Sequence, residues 1–233
     1  MKLDRVTITG ADDNTDQGWM QEMSARYPFV EWGILLSKNQ EGTPRFPTTS
    51  WIEKLKERNL PRLSGHLCGR WVRLLLMGEN VFLEARPSIA RMFHRVQLNF
   101  HAMPHSLILE SFNGAAVAWG VEEFIVQMDV ENDRFLRAIR SDGSVRAVPL
   151  FDISGGAGIE PAAWPKALDM YCGYAGGLDP LRLDAQMEKI AQAAGDARIW
   201  IDVEARVRTD DREKLDPARC EMFLAKAEKY VTP

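Results

Sequence analysis

The sequence is short of the residues that staple small secreted proteins and build metal centres, with three cysteines and four histidines among 233 residues. Cys68, Cys172 and Cys220 are far apart, odd in number and free of any C-x-x-C spacing. That pattern argues against a disulfide framework or a zinc knuckle and fits a reducing compartment. Positive charge is not in excess either: 29 Lys and Arg face 33 Asp and Glu, for a net charge of -4. No broad basic surface can therefore neutralise a phosphate backbone, and no nucleic-acid partner is expected. Apolar runs stay well below the roughly 18 residues of a spanning helix, and Met1 is followed at once by Lys2, Leu3, Asp4 and Arg5. A soluble cytoplasmic protein without a membrane partner is expected. No G-x-G-x-x-G follows the first apolar strand, so a dinucleotide cofactor is not expected. Low-complexity tracts, linkers and internal repeats are missing as well.

What is present is ample apolar material, 45% of the chain, with 27% charged residues. This is enough for one large core, and the whole of 1–233 reads as one domain. Short β-rich runs alternate with longer amphipathic segments from end to end, which predicts parallel strands joined by crossover helices. The strands are expected at 5–9, 30–36, 62–67, 96–100, 123–128, 147–151, 170–173 and 198–203. Eight strand–helix units in a chain of this length predict a closed (β/α)8 TIM barrel. Helix signals accompany them. Thr48, Thr49 and Ser50 cap a helix over 51–57, Asp179 and Pro180 open one over 181–194 that Gly195 stops, and Asp12 and Asp13 read as the cap of the first helix. The long connection after the third strand is expected to hold two helical pieces, 70–77 and 87–94.

In such a barrel the chemistry lies at the C-terminal strand ends. The most informative stretch is Leu150, Phe151, Asp152, Ile153 and Ser154, followed by Gly155, Gly156, Ala157, Gly158 and Ile159. It delivers one carboxylate into a glycine-rich loop, which makes Asp152 the first catalytic candidate. The remaining strand ends are polar too: Thr9, Asp12 and Asp13; Lys38 and Arg45; His66 and Cys68; Asn99 and His101; Gln127 and Asp129; Tyr174; Asp202 and Glu204. Burying unpaired carboxylates and imidazoles costs several kcal/mol, roughly, unless something binds there, so the ring favours a ligand site. Asp152 could instead cap loop N–H groups, and Arg45 could be exposed or paired to a neighbouring acid. His66 and His101 are candidate bases, and no ligand spacing supports a metal at them. Tyr174 could stack on a substrate ring or cover the barrel mouth. The mixed-sign stretch 209–219 reads as solvated loop and helix start.

Several segments, in order, resemble phosphoribosylanthranilate isomerase, the tryptophan-pathway barrel. Val6, Thr7, Ile8, Thr9 and Gly10 look like that family's opening Lys-Ile-Cys-Gly strand. Gly33, Ile34, Leu35, Leu36, Ser37 and Lys38, followed by Thr43, Pro44 and Arg45, are similar to its Gly-Phe-Val-Phe stretch ending in Ser-Pro-Arg. Val96, Gln97 and Leu98 resemble its Val-Gln-Leu-His strand. Leu150, Phe151 and Asp152, with Gly155 to Gly158 and Trp164, resemble its Leu-Leu-Asp, Gly-Gly-Thr-Gly and Trp. Ala175, Gly176, Gly177, Leu178 and Pro180 look like its Ala-Gly-Gly-Leu-x-Pro, and Ile201, Asp202 and Val203 like its Val-Asp-Val.

The resemblance implies that Asp152 is the general acid of an Amadori rearrangement, that Asp202 helps set up the site, and that Arg45 meets the aromatic, anionic side of the substrate. It also implies that Gly176 and Gly177 offer backbone N–H groups to a phosphate, at the mouth of the helix that Pro180 begins, and Gly155 and Gly156 are expected to bind substrate. The sequence departs from the family in two places. Thr9 stands where the family has its cysteine base, and a hydroxyl is not appreciably ionised at neutral pH. Glu204, Ala205 and Arg206 replace small phosphate-cradling residues, and Arg206 or Arg208 would have to offset the carboxylate. An isomerase acting on a small anionic, sugar-phosphate-like substrate is expected, as monomer or homodimer, without cofactor or metal. A different acid–base or lyase reaction, and a binding barrel that has lost the base, are the alternatives.

Overall fold

Parallel strands buried on both faces read as nearly continuous apolar runs rather than as alternating ones. The run Val30–Ser37 (VEWGILLS) is of this kind, buried at every residue but the last. In the computed structural model, which describes residues 1–101, 105–128, 132–152 and 158–232, eight such strands pair in sequence order and close into a barrel. They are β1 (Lys2–Thr9), β2 (Val30–Ser37), β3 (Leu63–Cys68), β4 (Arg95–Asn99), β5 (Glu123–Met128), β6 (Ala147–Phe151), β7 (Cys172–Ala175) and β8 (Arg198–Val203). All pairings are parallel, and β1 closes on β8. The chain is thus a (β/α)8 TIM barrel.

The outer layer holds α1 (Gln17–Arg26), α2 (Thr49–Leu55), α3 (Arg70–Leu76), α4 (Val81–Ala85), α5 (Pro87–Ala90), α6 (His105–Trp119), α7 (Asn132–Asp142), α8 (Leu183–Ala194) and α9 (Pro217–Glu228). Local chemistry explains their ends. Thr48 accepts from the Trp51 N–H at the start of α2, and Asp216 accepts from Ala218 and Arg219 beside Pro217 of α9. Gly195, at φ +56°, closes α8 where a left-handed residue is needed. Three expectations are corrected. Asp16, not Asp12 or Asp13, caps α1, accepting from Trp19 N at 2.7 Å. The connection after β3 carries three short helices rather than two pieces. Among the described residues no helix joins β6 to β7, where strict strand–helix alternation would put one.

β7 lies two residues beyond its expected position, a shift that keeps the same residues on the same face. It brings Tyr174 into the strand. Tyr174 is fully buried against Phe151 and Trp164, with its hydroxyl donating to the Pro165 carbonyl at 3.0 Å. It does not line the cavity at the C-terminal strand ends.

The barrel interior is layered. At its N-terminal end the side chains are ionic: Glu31 accepts from Thr7 Oγ1 at 2.9 Å and pairs with Arg5 at 2.9 Å and Arg95 at 3.0 Å, while Arg95 reaches Glu123 at 3.1 Å. Burial alone would raise the Glu31 pKa, but Arg95 and Arg5 hold it below the usual carboxylate range. Arg95 also lies 4.4 Å from the Trp200 ring centre. Above this plug, Ile125, Val148, Leu150, Ala175 and Trp200 form an apolar inner cluster. Gly173 makes room for Trp200, whose ring would lie 2.3 Å from a Cβ there. The plug and cluster fill the lower barrel and leave the C-terminal end open.

Candidate active site

At the C-terminal ends of the strands lies a cavity of about 330 Å³. Of the described sequence candidates, Thr9, Arg45, His66, His101, Asp152, Gly176, Gly177, Asp202, Glu204 and Arg206 border it, as do Cys68, Asn99 and Gln127, whereas Lys38 and Tyr174 do not. Gly155 and Gly156, with Ser154 and Asp129, lie outside the described residues. The strand period explains this convergence. In-facing residues recur every second position, and the register sets Thr9 beside Gly33, His66 beside Gln97, and Ala175 beside Asp202.

Asp202 borders the cavity, buried, with Oδ1 accepting from Thr9 Oγ1 at 2.8 Å. Burial pushes its pKa well above the ordinary value, and the carboxylates of Glu204, Glu31 and Asp152 push the same way against the Thr9 hydrogen bond. Asp202 is thereby favoured as a protonated acid. Asp152, just past the end of β6, is also buried and accepts from Gln127 Nε2 at 3.0 Å.

His66 is almost wholly buried, at 1% exposure, and its Nε2 has no hydrogen-bond partner. Burial first, and then Arg95, push it down to about 3 against the pull of Glu31, so the ring is neutral at ordinary pH. Gly33 creates the space that His66 and Thr9 share. A Cβ there would stand 2.4 Å from Thr9 Oγ1 and 2.8 Å from His66 Cε1.

The rim carries charge. Arg45 holds Glu204 in a two-pronged ion pair, Nη2 to Oε2 at 2.9 Å and Nε against Oε1. Arg45 is thus paired to an acid, one of the two structural alternatives its loop left open. Burial raises Glu204 and Arg45 opposes that rise. Arg45 has φ +77°, uncommon outside glycine, and its N–H donates to Asp12 Oδ2 at 2.8 Å. Asp12 in turn pairs with the buried Arg208 at 3.1 Å, and Arg208 donates to the Gly10 carbonyl at 2.6 Å. Arg208 therefore anchors the Arg45 loop, and the guanidinium paired with Glu204 is that of Arg45. Asp13 accepts from Thr48. Neither Asp12 nor Asp13 borders the cavity. Arg206 is exposed at the rim and makes no ion pair or hydrogen bond among the described residues.

No family model matches this chain, and no curated protein sequence matches it significantly.

On the other side of the mouth Gly176 and Gly177 have φ of +106° and +64°, and a Cβ on Gly177 would meet the Glu160 nitrogen at 2.3 Å. The loop can pass there only with glycine. The helix after it begins at Leu183 rather than at Pro180, and Gln186 of α8 ties to Asp179 N and the Gly177 carbonyl at 2.9 Å each. Gly176 and Gly177 thus border the cavity without standing at a helix mouth. Among the described residues no cluster of three or more His, Cys, Asp or Glu is arranged to hold a metal, and no helix is long and apolar enough to cross a membrane.

Sequence reasoning passed over Gln97, Phe46 and Gly158, which also line the cavity. Gln97 had a signal. It lies one pleat below Asn99 on the same face, so the period that selected Asn99 selects it too. Phe46 and Gly158 come from loops, where no period operates.

Proposed function

We propose that this chain is an acid–base enzyme, an isomerase of the aldose–ketose type, acting on a small anionic, phosphorylated sugar-like substrate. The observation that carries the reading is two buried carboxyl groups in one cavity with different surroundings: Asp202, burdened by neighbouring carboxylates and bonded to Thr9, and Asp152, bonded to the Gln127 amide. Separating the proton affinities of two such groups is how one site runs acid and base chemistry together. In this reading Asp202 enters protonated and gives its proton to the substrate's ring oxygen, while Asp152 takes the carbon-bound proton. The resemblance alone gives the acid role to Asp152; the environment of Asp202 supports the exchange. Arg45 and Arg206 meet the anionic groups, and the Gly176–Gly177 turn borders the phosphate. A substrate carboxylate would compete with Glu204 for Arg45.

A second reading, another acid–base reaction on a related substrate, is favoured by Thr9, whose hydroxyl is bonded to Asp202 and lacks the acidity of a thiol. The deciding assay mixes purified protein with freshly generated phosphoribosylanthranilate and follows loss of substrate fluorescence, beside Asp152→Asn and Asp202→Asn. Turnover lost in both variants, by about 10²- to 10⁴-fold, supports the isomerase. No turnover in the parent protein sinks the isomerase reading and leaves the second.

A further inference from the structure

The cavity floor differs in kind from its rim. Among the groups there, two buried polar atoms stand without partners: His66 Nε2 and Gln97 Oε1, on residues 1% and 5% exposed. They belong to cross-strand neighbours, since the register pairs His66 of β3 with Gln97 of β4. Leaving buried donors or acceptors unmade is costly, and native structures rarely do so without a ligand or water to complete them.

A chain of hydrogen bonds fixes which end of the Gln97 amide is left without a partner. The His66 backbone carbonyl can only accept, so the Cys68 thiol donates to it, at 3.5 Å. Cys68 Sγ then accepts from Asn99 Nδ2 at 3.3 Å, and Asn99 Oδ1 accepts from Gln97 Nε2 at 2.8 Å. Burial raises the Cys68 pKa to about 11 and so keeps the thiol proton that the chain needs. Its last member is Gln97 Oε1, an acceptor.

We propose that Gln97 Oε1 and His66 Nε2 form an acceptor–donor pair that takes one hydroxyl group of the substrate on the cavity floor and so determines its specificity. A hydroxyl is the simplest group that both donates and accepts. The pair therefore requires His66 in the neutral form with its proton on Nε2. Around the ring stand Thr9 on β1, Glu31 on β2, Cys68 on its own strand, Arg95 and Gln97 on β4, and Asp202 on β8 bonded to Thr9. Glu31 pulls toward protonation, and burial and Arg95 outweigh it. An uncharged floor beneath a rim bearing Arg45 and Arg206 orients the ligand, with its hydroxylated part deep and its anionic part at the mouth.

This inference rests on the reading of a polyhydroxylated anionic substrate, and its test separates the two. Protein labelled with ¹⁵N-histidine, its His66 resonances assigned with His66→Gln, is titrated with D-ribose 5-phosphate and, separately, inorganic phosphate. The expected result is a neutral Nε2–H ring from pH 5 to 8 whose resonances move with the sugar phosphate and not with phosphate. His66→Phe and Gln97→Leu should weaken ribose 5-phosphate binding about 10- to 100-fold while leaving phosphate affinity and the circular dichroism unchanged. His66→Gln, which keeps an N–H donor, should lose much less. A His66 that titrates between pH 5 and 8, resonances unmoved by the sugar phosphate, or unchanged binding in both variants overturns the pair. Missing isomerase turnover with these shifts intact overturns the catalytic reading alone, and turnover indifferent to both variants overturns the pair alone.

Discussion

Thr9 Oγ1 donates to Asp202 Oδ1 over 2.8 Å, joining residues 193 positions apart at the seam where the first strand closes on the last. The contact exists only because the barrel closes. It sets one Asp202 oxygen as an acceptor and leaves the other to hold a proton, in a cavity where Asp152 and Glu204 discourage ionisation.

Asp202→Asn should therefore be more stable than the parent protein at pH 8. A carboxyl whose pKa is raised on folding contributes stability that is complete below its unfolded value, about 3.9, and is lost as pH rises through the folded value. The amide cannot ionise and escapes that loss. Thermal melts should show the gap closing toward pH 4; a variant less stable than the parent at pH 8 would contradict the raised affinity.

Asp4 gives the opposite sign. Burial would raise it, but Arg198, Tyr171 and Arg5 together bring it down to about 2. Its contribution is present above the unfolded value and disappears as pH falls from about 4 toward 2. Urea midpoints across that interval should fall more steeply for the parent protein than for Asp4→Asn, and parallel curves would count against the assignment.

Asp12 and Arg208 form a pair with both side chains 2% exposed. Removing one partner strands a buried charge, so Asp12→Ala or Arg208→Ala should cost about 3–5 kcal/mol in chemical denaturation. Asp12→Ala also removes the acceptor of the Arg45 N–H and should release the Arg45 loop. A loss below about 1 kcal/mol for either would mean that the pair is not buried in solution.

Gly33→Ala should destabilise by about 1–3 kcal/mol, because its Cβ would press on Thr9 and His66 together. Gly114→Ala is the contrast: Gly114 lies in α6 with nothing near its missing Cβ, and should stabilise by about 0.5–1 kcal/mol. Equal effects at the two positions would remove the steric explanation of Gly33.

The strands and the face each presents were legible in the sequence, since β-rich runs and a period of two are local properties; β5, β6 and β8 stand where those runs placed them. The end of β7 was not, because the expected strand stops at Gly173 and Tyr174 reads as loop until Phe151 and Trp164 pack against its ring. Nor was the cap of α1. Asp12, Asp13 and Asp16 are equally good caps in isolation, and only the pairing of Asp12 with Arg208 and of Asp13 with Thr48 leaves Asp16 for the helix.

The sequence by itself determined that a barrel forms and which polar residues end its strands, because both follow from spacing along the chain. Tertiary structure alone decided which of those residues are partners. Arg45 meets Glu204, Thr9 meets Asp202 and Gln97 stands beside His66 through strand register and barrel closure, and the proton affinities of Asp202 and His66 arise from the burial and charges that closure brings around them.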